Sequence, residues 1–438
     1  MLGKCAAFSF IKPLVVPFFM LTGKTLPNVW FIVHIKIIVK SVAIPYFCHV
    51  KIRKMQDLDV FLTASVAFII TFLAIPVVLQ IADRKKLYDV PDERKLHTHH
   101  VSSLGGVGVF VGAMFALLLA VQGTVYPEFQ YFFAAILVTF FLGLKDDLVA
   151  LSATKKFIGQ IMAAAIIIHL GGLRLSSMYG LFGINEIPES FSLALSYLTI
   201  IFIINSYNLI DGIDGLAGSL GLLCCLVFGT YFLIIGDTGY ALLAFAMSGS
   251  LVAFLIFNHH PAKIFMGDCG SLVLGLVCSI LAIRFINIAN TPNINIALPA
   301  AVPLAISVII VPLSDTIRVF ATRILNGKSP FSPDRTHIHH LLLDRGLGHA
   351  AVTFILVSAN VVLITLTYIF RSLGPTWTLA GLLTIVFGVV GTLYATRPRR
   401  RLVVAPKAVG EGAELQTRTS RVLSIASSLK DKLKIDQN

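Results

Sequence analysis

The chain is poor in charge: 13% of its 438 residues are Asp, Glu, Lys or Arg, against about 25% in a soluble globular domain. With 56% hydrophobic residues and a mean hydropathy of +0.86, that shortage excludes an ordinary soluble protein and implies many membrane-spanning helices. The six cysteines form no CxxC pair and mostly lie in apolar runs, so they read as packing residues, without a disulfide framework or a cysteine zinc site. Residues 1–54 lack any acidic side chain yet hold eight Lys or Arg, and so supply most of the formal net charge of +13. Basic residues in a membrane protein report topology, or contact with anionic lipid and phosphate, and nucleic acid is not an expected partner. No internal repeat of fixed period is present, which speaks against an inverted-repeat transporter.

What the chain does have is apolar length. Eleven candidate spans are centred in residues 58–81, 104–121, 129–144, 157–170, 191–209, 217–235, 240–257, 271–286, 297–318, 350–370 and 376–394. The expected fold is therefore all-α, a polytopic integral membrane protein of about 11 transmembrane helices. Residues 55–396 form the expected transmembrane domain. Residues 1–54 hold no clean span of ~20 apolar residues and read either as an extra anchor or as an upstream-extended start before Met55. Residues 397–438 form a polar tail, in which Val422, Ile425, Leu429 and Leu433 recur at helical spacing beside lysines. That tail reads as a surface-lying amphipathic helix or as a disordered segment. Lys and Arg concentrate in the odd-numbered connections, which places those loops on the cytoplasmic face of a plasma (inner) membrane.

The polar clusters fall in the same odd-numbered loops. The stretch NSYNLIDGIDGLAG, residues 205–218, lies between two apolar runs and sets Asn205, Asn208, Asp211 and Asp214 where a membrane meets water. Unsatisfied polar groups in lipid cost several kcal/mol each, so such a cluster lines a site or faces water. Its glycines allow the backbone to turn and to approach a ligand. Loop one carries Lys95, loop three Asp146, Asp147, Lys155 and Lys156, loop seven Asn258, Lys263 and Asp268, and loop nine Arg335, His337, His339 and His340. Singly, each has an ordinary reading as a cap, a turn residue or a solvated charge. Together, five carboxylates with lysines, an arginine and three histidines at one face supply oxygen ligands for Mg2+ and donors for phosphate oxygens. That is the equipment of phosphoryl transfer, in which positioning and electrostatic stabilisation dominate. HxHH also fits zinc, but no further Cys or clustered His completes a four-coordinate set, and phosphate binding is the better reading.

In order, these loops read DD, NxxNxxDGxDGLA, NxxPAKIFMGDxGS and SPFSPDRxHxHH. Across residues 58–394 this pattern resembles the polyprenyl-phosphate N-acetylhexosamine-1-phosphate transferases, the MraY and WecA superfamily, and the interrupted HIHH is similar to the WecA branch. The resemblance implies transfer of an N-acetylhexosamine-1-phosphate, GlcNAc-1-phosphate in the WecA-like case, from a UDP-amino sugar to a polyprenyl phosphate such as undecaprenyl phosphate. UMP is released, and the lipid-linked sugar initiates a cell-envelope glycan. It further implies Mg2+, with Mn2+ as an alternative, held by Asp268, Asp147 and Asp211. Asp146 is then a base or an orienter, and His337, His339 and His340 act in catalysis. Lys95, Lys155, Lys156, Asn205, Asn208, Asp214, Asn258, Lys263 and Arg335 are implied to bind substrate. Another UDP-amino sugar remains the alternative donor, a transporter of anionic substrates the alternative class, and a homodimer an open possibility. Two departures stand out: Ser102 and Ser103 replace a frequent Pro-Arg, and Cys269 occupies a position usually held by another small residue.

Overall fold

A computed structural model describes residues 44–87, 101–121, 123–289, 298–327 and 337–396, with side chains from residue 58 onward. Lys95, Arg335, most of residues 1–54 and the whole 397–438 tail lie outside the described residues. The chain divides into two units, Met1–Leu58 and Asp59–Asn438, and the following concerns the second.

Its helices are the part of α1 (Ile44–Lys85) from Asp59 onward, α2 (Gly105–Ala120), α3 (Phe129–Leu148), α4 (Ala153–Ala165, extended by a π turn to Leu170), α5 (Glu189–Ile210), α6 (Leu216–Ile235) and α7 (Thr238–Asn258). They continue with α8 (Gly267–Ala289), α9 (Ala301–Val308), α10 (Ile310–Leu325), α11 (Ile338–Leu343), α12 (His349–Ile369) and α13 (Pro375–Ala395). Among the described residues, eight helices are long and apolar enough to cross a membrane, or nine when the bent pair α9 and α10 is taken as one span. The remaining two of the eleven expected spans are also helical, but α2 has 16 residues and α3 carries Lys145, Asp146 and Asp147 in its last turn. The fold is not purely α. An antiparallel hairpin, β1 (Ser177–Leu181) with β2 (Ile184–Glu186), joins α4 to α5, because Gly180 and Gly183 with φ of +80° and +75° turn this short connection back on itself.

The bundle is built around α8, which is 83% buried over its apolar window and packs against α2, α3, α5 and α6. Lipid tails give helices no hydrophobic reason to associate, so close backbone packing has to supply the attraction, and small residues allow it. A Cβ on Gly106 of α2 would stand 2.2 Å from the Gly270 amide nitrogen of α8. At the periphery the pattern inverts: α1 and α12 are each only 22% buried over their windows, with Phe354 73% exposed and α13's Trp377 74% exposed. Large apolar side chains presented outward on this scale suit lipid and not water.

The α9–α10 pair bends by 80° at Ile309. A break inside an apolar layer strands backbone polar groups, which lipid cannot satisfy. Here Asn360, fully buried on α12, fills the gap: its Nδ2 donates to the Val308 carbonyl at 2.9 Å and its Oδ1 accepts from the Val311 N–H at 3.3 Å.

Candidate active site

The first turn of α8 begins at Gly267, whose φ of +69° and contact with the Ser103 carbonyl leave no room for a side chain. Its opening amides have no partner within the helix, and a carboxylate at that end is favoured by the helix dipole. Asp147 provides it from the end of α3: Oδ1 accepts from the Asp268 N–H at 2.7 Å and Oδ2 from the Cys269 N–H at 2.9 Å. With Asp147 fixed in this way, its neighbour Asp146 lies on the adjacent side of the helix end, where it accepts from the Leu151 N–H at 2.6 Å and pairs with Lys156.

Lys156, in the first turn of α4, bridges Asp146 and Asp268, and its Nζ is 2.7 Å from Asp268 Oδ2. Asp268 Oδ1 accepts from Asn208 Nδ2 at 2.7 Å, and the same amide reaches Ser271 Oγ at 3.0 Å. Asn208 and Asp211 are three residues apart at the end of α5, so they share a helix face. Asp211, just past the helix, takes no hydrogen bond to its carboxylate among the described residues and stays partly exposed. Burial, then the neighbouring Asp268, Asp147 and Asp214 charges, push its pKa up to about 8. The site thus gathers more negative charge than Lys156 offsets, and a cation would relieve it.

The histidines approach from the other side of the glycine turn. His339 is 1% exposed, and a Cβ on Gly212 would stand 2.5 Å from its Nε2, so the DGIDG turn and HIHH are in direct contact. Burial, with His340 alongside, lowers the His339 pKa to about 3, which makes it a neutral imidazole. His337 stacks on His339 with centroids 5.4 Å apart. Its Nδ1 lies 2.7 Å from Asp315 Oδ2, while Asp315 Oδ1 accepts from the Ile338 N–H at 2.8 Å and from Arg318 Nη2 at 2.9 Å.

Several expected site residues stand apart from this centre. Lys155 points outward beside Lys156 and is exposed, as is Lys263. Asn205 sits lower on α5 and exchanges two hydrogen bonds with Gln160 of α4, at 2.8 and 3.3 Å. Asn258 is buried and joins two loops, accepting from the Gly215 N–H and donating to the Ile264 carbonyl, both at 2.8 Å. Asp214 is buried and faces His260 and His349. The Ser102–Ser103 departure is taken up by backbone pairing: Ser102 bridges Ile264, and its carbonyl accepts from the Phe265 N–H at 2.8 Å. Cys269 is fully buried and its amide is one of the two that Asp147 holds.

Gln160, Ser271, Asp315 and Arg318 escape a reading based on loop clusters. For the last two a signal existed, since an Asp and an Arg three residues apart in an apolar span are costly in lipid and mark partners in the interior.

A bundle of apolar helices, with a polar, carboxylate-lined centre where the ends of α3 and α5 meet the starts of α4 and α8, defines a polytopic membrane protein with a carboxylate-rich centre at one end of its helices. The sequence model of glycosyl transferase family 4 matches residues 129–286, which include every carboxylate of this centre. A decaprenyl-phosphate N-acetylglucosaminephosphotransferase of Mycobacterium leprae is 32% identical over 318 residues, covering 67% of this chain and 79% of the relative. A probable undecaprenyl-phosphate N-acetylglucosaminyl 1-phosphate transferase of Bacillus subtilis is 35% identical over 297 residues, 65% of this chain and 78% of its own. The undecaprenyl-phosphate alpha-N-acetylglucosaminyl 1-phosphate transferase of Escherichia coli K12 is 28% identical over 331 residues, 74% and 88% of the two chains. The chain belongs to glycosyl transferase family 4.

Proposed function

We propose that the protein transfers N-acetylglucosamine-1-phosphate from a UDP-sugar to a polyprenyl phosphate, releasing UMP and leaving a lipid-linked diphospho-sugar. The observation that carries this reading is the Asp268 centre, in which one carboxylate is oriented by Lys156 and Asn208 on a helix start clamped by Asp147, with Asp211 open beside it. The relatives named above are named for transfer of N-acetylglucosamine phosphate to decaprenyl or undecaprenyl phosphate. The carboxylates stand at helix ends, not mid-span, which suits a reaction at the membrane surface better than transport through it.

The oxygen donors of Asp268 and Asp211 fit Mg2+, a hard cation that keeps several waters and takes one or two carboxylates. When bound, it would neutralise charge on the two phosphates that must approach each other. Asp147 contributes from behind, since both its oxygens are engaged in holding the α8 amides. Lys156 holds Asp146 and Asp268 in one geometry and presents positive charge to phosphate oxygens. Neutral His339 offers a hydrogen bond without adding charge. A lipid phosphate has its second pKa near ~6, so at neutral pH it is mostly ionised and needs little help from a base, and Asp146 serves chiefly to orient Lys156, whose charge faces that phosphate.

Purified protein supplied with Mg2+, UDP-GlcNAc and a polyprenyl phosphate is expected to release UMP, and added UMP is expected to drive the exchange backwards, since one phosphoanhydride replaces another. Mass measurement of the lipid product across several UDP-amino sugars identifies the donor. Absence of UMP with every donor would remove the enzyme reading.

The site faces the cytoplasm in this proposal, in a plasma-membrane protein crossing eleven times. A Lys263→Cys variant, in the exposed loop before α8, should resist an impermeant thiol reagent in intact cells and react after lysis. Phe182→Cys, in the exposed hairpin turn at the other end of α4 and α5, should react in intact cells. The opposite pattern reverses the topology.

A further inference from the structure

Next to the carboxylate centre a second and chemically different set of donors converges. Asp214 from the turn before α6, His260 from the α7–α8 loop and His349 at the start of α12 each bring one ligand atom, and these atoms all lie within 4.8 Å of one another. Asp214 Oδ2 is 2.7 Å from His260 Nδ1, and Oδ1 is 3.4 Å from His349 Nδ1. Among the described residues, no other His, Cys, Asp or Glu grouping has this geometry, and the His337, His339 and His340 set does not.

The position of Asp214 is set by its surroundings before any ligand arrives. Its carbonyl accepts from Thr353 Oγ1 at 3.0 Å, the next residue's amide donates to Asn258, and its Oδ2 also accepts from the Ala262 N–H at 3.3 Å. Its side chain is 1% exposed, that of His349 12% and that of His260 48%, so a buried carboxylate anchors a site that opens on the His260 side.

We propose that Asp214, His260 and His349 form a site for a transition-metal ion of the Zn2+ type, separate from the Mg2+-type carboxylate centre. Two imidazoles and one carboxylate are the donors that Zn2+, Co2+ and Ni2+ take, whereas Mg2+ requires oxygens. Three protein ligands leave a coordination position for water on the open side. Binding requires both Nδ1 atoms to be free of protons and Nε2 to carry them, so any proton shared between Nδ1 and the carboxylate leaves to solvent. Such an ion joins the turn that carries Asp211, the loop that leads to Asp268 and the start of α12, and so secures three segments that border the active centre. The competing arrangement is a metal-free clamp, in which Asp214 simply accepts hydrogen bonds from the two rings.

Full-length protein in detergent, stripped with chelator and kept in excess Mg2+ to fill the carboxylate centre, is titrated with Co2+ and followed by its visible d–d absorption. One equivalent per chain is expected, with affinity at least ~10-fold weaker in both His260→Gln and His349→Gln and unchanged in His339→Gln. Uptake that is absent, that survives in both variants, or that depends on His339 overturns the proposal. A measurement on the parent chain alone covers variants that fail to fold: Zn2+ should protect half-exposed His260 from diethyl pyrocarbonate, because the metallated ring carries its proton on Nε2. Equal modification of His260 with and without Zn2+ overturns the proposal as well. Neither readout uses transferase activity.

Discussion

Asp268→Asn is expected to lower turnover by about 10^3-fold or more, a barrier rise of about 4 kcal/mol, while the protein remains folded and inserted. The substitution keeps the shape of the side chain, and Asn208 can still donate to its oxygen. It removes the charge, however, and sets an amide N–H opposite the Lys156 ammonium, where the native structure has a 2.7 Å ion pair. The neutral amide oxygen that remains is a weaker ligand for a hard cation than a carboxylate, and the positive end of α8 does not compensate for the lost charge. UMP release measured against Mg2+ concentration, beside a thermal unfolding profile, separates lost chemistry from lost structure. Near-normal turnover with unaltered Mg2+ dependence would place the cation elsewhere.

The second large effect is on stability. Asp315→Ala is expected to destabilise the folded protein by about 3–5 kcal/mol, the cost of removing one partner from a buried ion pair. Asp315 is 2% exposed and accepts from Arg318, from the Ile338 amide and from His337, so a single deletion takes the acceptor from three groups at once. A clearly lowered unfolding midpoint in detergent should accompany reduced UMP release, because His337 and the stacked His339 lose the group that holds the start of α11. An unfolding midpoint equal to that of the parent would show that α11 is held by other contacts.

The apolar spans were legible in sequence because crossing hydrocarbon demands ~20 apolar residues in a row, a local requirement that composition alone reveals. The polar helix ends that form the candidate site were legible for a related reason: Asp147, Asp211 and Asp268 are polar where the surrounding pattern is apolar, and lipid leaves such groups few other roles. The small hairpin was not legible, since five residues and three residues of strand carry no periodicity that outweighs their neighbours.

What the tertiary structure alone decided is the division of labour among those residues. Asp147 and the α8 amides it holds are about 121 positions apart in sequence, and Lys156 and Asp268 are 112 apart, so no local pattern encodes that one carboxylate clamps a helix while the other is held by a lysine and an asparagine side chain. The same holds for Lys155 and Lys156, adjacent and alike in sequence, of which α4 turns one toward the carboxylates and the other outward. Side-chain chemistry and hydropathy are properties of residues and short windows, and they set the spans, the polar ends and the class of reaction. Which donor meets which acceptor depends on how α3, α4, α5 and α8 pack, and that is set by close contacts such as Gly106 on Gly270, made by residues that carry no chemistry of their own.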